Sequence, residues 1–383
     1  MTVRDMFGAS GRTTAIGAAV LAVITVSAGC ARFDDSASTP FSPEPTFGAA
    51  DIEPVEPGAP GSSTPPPPSP ATGPCIDPDP NVVATCLDTL SGLVVLPGGA
   101  AALVGERRTG TIFQVAPGQT PRPVASVPVD GSGGGGLLDV ALSPTYDEDR
   151  LLYAYITTAS DNRVVRIAAG DVPKPVLTGI PRGSTENSGA LDFTSPTELR
   201  VITGDAGSPA SSSDPSSLAG KVLAIDNPRV DPPSPVTPRI VMSGIGRAGD
   251  VCVDGTGSTW VTDATASEDR LSRITPEGAV VSPVWTWPDK PGVGGCAAGP
   301  GSVSVSMSGA RAVSLVPVDP ETGAVTTPPT LIAQDRYGRL RGASLGAEGQ
   351  VWVSTVNKDG GQPVPTDDRV VIVPVPSGAG GSD

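Results

Sequence analysis

Short apolar runs separated by polar turns recur along the chain from about residue 90 onward. In Leu151–Ile167, for example, two apolar runs flank the polar turn Ala159-Ser160-Asp161-Asn162. Runs of this length, bounded by Gly, Pro, Asn, Asp or Ser, are typical of β-strands and too short for most helices. The pattern therefore predicts an all-β protein.

The apolar runs group into six similar units. Each unit has an apolar run, a turn, a second run, a polar turn and a third run that ends near Gly or Asp. The units start near Gly92, Leu137, Ala190, Asp250, Gly301 and Ala343. A repeat of roughly 40 to 60 residues suits the four-stranded blades of a propeller. A two-sheet sandwich is the alternative for many short strands, but it would not produce six similar units in series.

Short runs flanked by proline follow five of the units and predict the fourth strand of each blade. These runs are Pro123–Val129, Pro175–Ile180, Arg239–Ile245, Val281–Trp287 and Thr330–Gln334. The sixth unit ends near Pro376 without such a run. We expect residues near Asn81–Leu90 to supply its fourth strand, because closing the ring removes the exposed edge of an open sheet.

The N-terminus has the order of a secretory signal. Arg4 and Arg12 precede an apolar run over Ala15–Val26, which is shorter than the ~20 residues that a membrane-spanning helix needs. Small residues then lead into Cys30, an ending that resembles a bacterial lipobox, although Ser27 stands where that pattern prefers Leu. We predict a signal peptide over residues 1–29 and lipidation of Cys30, with plain secretion or a retained anchor as alternatives.

The segment 30–74 has almost no periodic apolar signal and contains four consecutive prolines, Pro65–Pro68. Such a segment cannot bury enough surface to offset its chain entropy, and its prolines favour extended polyproline II. We predict a disordered stalk over 30–74, a propeller over 75–376 and a disordered tail over 377–383.

Composition supports this organisation. The chain has 48 Gly and 44 Pro with only 17% charged residues, which disfavours long helices. Its net charge of −15 opposes nucleic acid as a partner, and we expect a monomer.

After export, four cysteines besides Cys30 remain for disulfides in an oxidising compartment. Of three pairings, we favour Cys75–Cys86 with Cys252–Cys296.

The chain contains no histidine, which excludes catalysis by Ser-His-Asp or Cys-His arrangements. Gly133–Gly136 resembles a phosphate-binding loop, but it leads into a predicted strand instead of a helix. Asp254–Trp260 comes close to the Asp-box hairpin of sialidases, yet its spacing is off by one residue. Both segments are interpreted as turns.

Several segments of the predicted propeller resemble the glucose/sorbosone dehydrogenase family. The segments that carry the resemblance are Gly135–Pro144, Leu152–Tyr155, Arg163–Arg166, Asn187–Phe193, Thr203–Gly207, Leu218–Leu223 and Trp287–Pro288. The resemblance implies a six-bladed propeller that binds pyrroloquinoline quinone (PQQ), often with Ca²⁺, and oxidises aldoses. Within that family, Cys30–Phe33, the stalk and Thr286–Val293 are similar to a conserved lipoprotein group of mycobacteria and their relatives.

The resemblance also assigns candidate site residues. Asn187 stands where the family has its histidine base, and an amide cannot accept a proton at neutral pH. Arg247 lies near a family arginine that contacts the cofactor. The resemblance suggests a metal near Asp263, Glu268 and Asp269, the last two being an acidic pair that would contact the cation. Solvated turn residues are the alternative for these carboxylates.

Three functions remain open from the sequence. The first is a cell-envelope lipoprotein that has lost the family's catalysis and binds a sugar, glycolipid or protein at the propeller funnel. The second is a PQQ-dependent aldose dehydrogenase that uses Glu186 or Asp205 as a substitute base. The third is a glycoside hydrolase with paired carboxylates drawn from Asp139, Asp192 and Asp205.

Overall fold

The structure, a computed structural model, describes residues 75–228 and 236–376. The predicted signal peptide, Cys30, the stalk and the tail at 377–383 lie outside the described residues. The described residues form six four-stranded antiparallel sheets. The all-β, six-bladed propeller predicted from the repeats is therefore confirmed.

The first strand of each blade is innermost and contacts the first strands of the two neighbouring blades. These inner strands are β2 (Leu90–Val95), β6 (Leu137–Leu142), β10 (Gly189–Ser195), β14 (Arg247–Val253), β18 (Val293–Gly299) and β22 (Leu340–Leu345).

Moving outward, the second strands are β3 (Ala102–Glu106), β7 (Leu152–Thr157), β11 (Glu198–Thr203), β15 (Thr259–Ala264), β19 (Ser302–Met307) and β23 (Val351–Thr355). The third strands are β4 (Thr111–Val115), β8 (Asn162–Ile167), β12 (Lys221–Asp226), β16 (Asp269–Ile274), β20 (Ala312–Pro317) and β24 (Val370–Val373).

The outermost strands are β1 (Val82–Ala84), β5 (Arg122–Ser126), β9 (Lys174–Ile180), β13 (Arg239–Ser243), β17 (Val280–Trp287) and β21 (Thr330–Ile332). Five of them overlap the runs predicted as fourth strands. Helices within the described residues are short: α1 (Tyr146–Asp149) and α2 (Pro209–Ser213), with 3₁₀ turns at Ser132–Gly134 and Ala347–Gly349. No helix in the described part of the chain is long and apolar enough to cross a membrane.

The ring closes through the N-terminal strand, as predicted. Strand β1 pairs antiparallel with β24, with Val82 opposite Val371. The sixth blade therefore takes its outer strand from the start of the propeller and its other three from the end. The Cys75–Cys86 disulfide lies beside this closure.

The hydrophobic core lies between successive blades. Leu103 and Ile112 of the first blade, for example, pack against Leu137 and Val140 of the second. Because each blade is covered on both faces, the middle strands are buried almost throughout instead of alternating. The Cys252–Cys296 disulfide joins the inner strands of the fourth and fifth blades, so both favoured cysteine pairings are present.

Candidate functional site

A cavity of about 380 Å³ opens where the inner strands begin, at one end of the central channel. We call it the arginine pocket, because four of its lining residues are arginines. Its other walls come from the starts of the inner strands and from the loops beside them. The lining residues are Leu90, Ser91, Arg107, Gly133, Gly134, Leu138, Thr185, Glu186, Asn187, Ser188, Arg247, Ser308, Arg339, Arg341, Val356 and Asp359.

The four arginines come from different parts of the ring. Arg107 follows β3, and Arg247 begins β14. Arg339 and Arg341 flank Leu340, which is fully buried in the core. Since side chains alternate along a strand, residues on either side of an inward-facing Leu340 share the opposite face. This local alternation places two guanidinium groups in the same pocket.

Two of these arginines have partners of opposite charge. The Arg107 Nη2 atom lies 2.9 Å from Asp359 Oδ2, and Arg107 Nη1 donates to the carbonyls of Gly131 and Gly135. Arg247 Nε lies 4.0 Å from Glu186 Oε2, which is too long for a hydrogen bond.

Arg339 and Arg341 have no ion pair or side-chain hydrogen bond within residues 75–228 and 236–376. The Nε atom of Arg339 is buried without a hydrogen-bond partner in the described part of the chain. Burial, assisted by the charges of Arg247 and Arg107, lowers the pKa of Arg341 to about 10, while Asp250 and Asp139 oppose this effect. Arg341 therefore remains charged at neutral pH. Guanidinium groups left unpaired in a cavity indicate a binding site for an anion such as a carboxylate or a phosphate.

Asn187 lies in this pocket, but its side chain is fully engaged. Its Oδ1 atom accepts hydrogen bonds from Asn162 Nδ2 and from the Gly183 amide. Its Nδ2 atom donates to the carbonyls of Gly133 and Gly183 at 3.0 and 2.8 Å. An amide with four hydrogen bonds has no capacity left for a reacting group. Asn187 therefore fixes the loops around the pocket.

A second cavity of about 330 Å³, here called the side cavity, shares Glu186 and Arg247 with the arginine pocket. Its lining residues are Glu186, Asp205, Gly207, Pro209, Arg247, Ala264, Thr265, Ala266, Asp269, Lys290 and Gly292. Asp205 is 8% exposed and accepts a hydrogen bond from the Gly207 amide. Glu186 has a left-handed φ of 56°. The two candidate bases thus line one cavity.

The structure does not gather Asp263, Glu268 and Asp269 into a metal site. Asp263 is fully buried and forms two hydrogen bonds with Arg270, at 3.1 and 2.7 Å. Asp269 accepts the amides of Gly292 and Val293 through one oxygen. Across the described ranges, no group of three or more histidine, cysteine, aspartate or glutamate side chains is placed to hold a metal ion.

A third cavity, of about 170 Å³, lies farther along the inner strands and is called the channel cavity. Asp139, Asp192 and Asp250 line it, and each accepts an amide from the next blade. Burial raises the pKa of all three carboxyls, to about 7 for Asp192. Asp205 lies in the side cavity instead, so the three carboxylates considered for glycoside hydrolysis are not brought together.

Gly133–Gly136 and the start of Asp254–Trp260, both interpreted from the sequence as turns, form turns in the structure. Asp254 accepts hydrogen bonds from the amides of Thr256 and Ser258 and from Trp260 Nε1. Gly133 lies in the loop before β6 with a φ of 60°, and its carbonyl accepts Asn187 Nδ2.

Sequence reasoning missed Arg107, Arg339 and Arg341. The available signal was the pair Arg339 and Arg341 on either side of Leu340, just before the predicted start of the sixth unit near Ala343. Asp250 was likewise passed over, although it occupies the same place in its blade as Asp139 and Asp192.

Comparison with known proteins shows that this chain is similar to sugar dehydrogenases. The family model described as Glucose / Sorbosone dehydrogenase matches residues 87–237. The search of curated proteins found no match.

Among solved structures, the PQQ-bound form of aldose sugar dehydrogenase from Streptomyces coelicolor is 31% identical, with a TM-score of 0.68. That alignment covers 76% of this chain and 95% of the other. A protein of Thermus thermophilus, provisionally described as a glucose dehydrogenase, is 27% identical over 76% of this chain and 98% of its own, with a TM-score of 0.67. The apo-form of the soluble aldose sugar dehydrogenase of Escherichia coli, 20% identical over 77% of this chain and 99% of its own, shares the fold with a TM-score of 0.64.

Proposed function

The chain belongs to the glucose/sorbosone dehydrogenase family, and on that premise we propose that its arginine pocket binds a small ligand with several carboxylate groups, such as PQQ, without oxidising sugars. The observation that carries the proposal is the pair of guanidinium groups of Arg339 and Arg341, which have no ion pair or side-chain hydrogen bond among the residues that the structure describes. In a chain with a net charge of −15, a pocket with more arginines than acids is an exception that a bound anion would explain.

The residues present fit PQQ, which carries several carboxylates and supplies a two-electron acceptor when bound. Arg339 and Arg341 would hold carboxylates through charge-assisted hydrogen bonds, which are the stronger kind. Arg247 would contribute a third positive charge at the mouth of the side cavity. The loop at Gly133 and Gly134, held by Asn187, would form another wall of the pocket.

We propose binding without catalysis because the histidine base of the family is missing from this chain. Oxidation of a sugar hydroxyl requires a group that accepts its proton. The chain has no histidine, and the amide of Asn187, which the resemblance aligns with the family's base, is used up by four hydrogen bonds. The pocket therefore supports recognition better than turnover.

The test is a titration of the full chain with PQQ, followed by calorimetry and by melting temperature. A ligand selective for the folded state at one hundred times its Kd stabilises by ~2.7 kcal/mol. We expect Arg339→Ala and Arg341→Ala each to weaken binding by ~10–150-fold, since a hydrogen bond to a charged group contributes about 1.5–3 kcal/mol. Arg122→Ala, on the exposed outer strand β5, is the matched control.

Two results would count against the proposal. If PQQ neither binds nor shifts the melting temperature at saturation, the arginine pocket does not serve this ligand. If the PQQ-treated protein reduces a dye in the presence of aldoses, the protein is an enzyme.

A second candidate function, a PQQ-dependent aldose dehydrogenase, is favoured by Glu186. Its side chain is 43% exposed and lines both the arginine pocket and the side cavity, so its carboxylate is accessible to a ligand in either. If Glu186 is a base, Glu186→Gln abolishes dye reduction. Asp205→Asn tests the other candidate in the same assay.

The proposed location is the extracytoplasmic face of the cell membrane, with a lipid on Cys30, as in the mycobacterial lipoprotein group. A signal-like N-terminus that ends in a small-residue stretch before Cys30 supports this assignment. An envelope sugar, glycolipid or protein with anionic groups is then the proposed physiological partner. A labelled fatty acid should be incorporated into the wild type and not into Cys30→Ala, whereas label in this variant would contradict lipid attachment at Cys30.

A further inference from the structure

Lys290 lies in the turn between β17 and β18 and reaches across to the neighbouring turn. Its Nζ atom donates hydrogen bonds to the carbonyls of Thr265 and Ala266, at 2.8 and 3.0 Å. These carbonyls belong to the turn between β15 and β16. This is the turn where the resemblance suggested a metal ion.

The same two turns are joined a second time by Asp269. One of its oxygens, Oδ2, accepts the amides of Gly292 and Val293 at 2.7 and 3.0 Å. The other oxygen, Oδ1, is buried without a hydrogen-bond partner among the described residues. Asp269 is 1% exposed and lines the side cavity together with Lys290.

Main-chain carbonyls and a carboxylate are the ligands that Ca²⁺ prefers. In this chain, side chains of the protein itself supply the positive charges that contact these oxygens. The Lys290 ammonium binds the two carbonyls, and Arg270 binds Asp263. The residues present therefore do not fit a divalent cation while Lys290 occupies these oxygens.

We propose that the Lys290 ammonium is a tethered cation that takes the place of a free divalent ion in the side cavity, so that ligand binding in the adjoining arginine pocket does not require Ca²⁺. The replacement of an ion by Lys290 is inferred from the contacts of Lys290 and Asp269 alone, whereas the Ca²⁺-independent binding of a ligand rests on the proposed function. Lys290 acts as a positioning residue, because it contacts the turn instead of the ligand.

The first experiment measures ion binding to the ligand-free full chain. Tb³⁺, a luminescent stand-in for Ca²⁺, is titrated and then displaced with Ca²⁺. We expect no saturable site in the wild type, in Lys290→Arg, which keeps the charge, or in the surface control Lys174→Ala. Lys290→Ala should gain one Tb³⁺ site, with an affinity at least tenfold higher than that of any weak binding by the wild type. The double variant Lys290→Ala, Asp269→Asn should lose this site.

Either of two results overturns the ion inference. One is a stoichiometric Ca²⁺ site in the wild type that Asp269→Asn abolishes. The other is a correctly folded Lys290→Ala, with a wild-type circular dichroism spectrum, that still binds no ion. Lys290→Gln, which keeps a donor but not the charge, provides a second variant if the alanine variant does not fold.

The second experiment compares PQQ affinity in EDTA with affinity in millimolar Ca²⁺. We expect the wild type to show the same Kd within twofold, and Lys290→Ala to lose about tenfold in EDTA and regain it with Ca²⁺. A wild type that binds PQQ only with Ca²⁺ overturns the inference. If PQQ binds no variant under either condition, the proposed function fails, and the Tb³⁺ titration still decides the question of the ion.

Discussion

Replacing Asp192 by Asn should make the propeller more stable, and more so at pH 8 than at pH 5. Asp192 lines the channel cavity, and its carboxylate accepts the amides of Phe193 and Val253. Burial raises its pKa from 3.8 to about 7, against the opposing effect of these two amides. Between these values the folded protein holds a proton that the unfolded chain has released. The free energy of unfolding therefore falls as pH rises from about 4 to about 7.

The size of the effect follows from the interval between the two pKa values. Each pKa unit corresponds to about 1.4 kcal/mol. Between pH 5 and pH 8 the wild type should lose at most about 2–3 kcal/mol at this residue, and water reaching the half-buried carboxyl reduces that figure. An asparagine carboxamide retains an oxygen acceptor and does not titrate, so the variant avoids this loss.

Urea unfolding of both proteins at pH 5 and pH 8 measures the difference. The stability of Asp192→Asn relative to wild type should increase by about 1–3 kcal/mol between the two pH values. Asp226→Asn, at the exposed end of β12, is the matched surface control. An equal difference between Asp192→Asn and wild type at both pH values would refute the assignment of a raised pKa.

Three further changes test how the fold is held together. Lys221 is fully buried and its ammonium donates to three main-chain carbonyls, so Lys221→Met should cost about 2–4 kcal/mol in chemical denaturation; a cost below ~0.5 kcal/mol would contradict this role. A Cβ on Gly92 would lie 1.6 Å from Asp139 Oδ1, so Gly92→Ala should lower the melting temperature, and less so in an Asp139→Ala background; equal losses in both backgrounds would refute the contact. Removing the Cys252–Cys296 bridge in a Cys252→Ser variant should cost about 2–4 kcal/mol, and unchanged stability would show that the bridge is dispensable.

The fold could be predicted from the sequence because its information is local and repeated. Each blade repeats one apolar pattern, so six weak signals reinforce one another. The missing fourth strand of the last unit pointed to residues near Asn81–Leu90, because a ring leaves one position for it, and β1 (Val82–Ala84) fills that position within this range. The Cys252–Cys296 pairing was favoured because it would link two adjacent repeats, and in the structure the two cysteines lie on the inner strands of successive blades.

The site was harder to predict because its residues come from different blades. Arg107, Arg247 and Arg341 are far apart in the chain, and only the closed ring brings them to one end of the channel. The carboxylates that the sequence offered as catalytic candidates have a structural role instead. Asp139 and Asp192 carry raised pKa values, yet they hold neighbouring inner strands together by accepting their amides.

We propose that the arginine pocket binds PQQ and that, without the histidine base of the family, the chain does not oxidise sugars with it. The direct test adds glucose or another aldose, without oxygen, to the full chain saturated with PQQ, while the quinone absorbance is followed. We predict that the spectrum of the bound quinone forms and then does not change when sugar is added. Loss of the quinone absorbance on addition of sugar would contradict the claim and show that the chain is a working dehydrogenase.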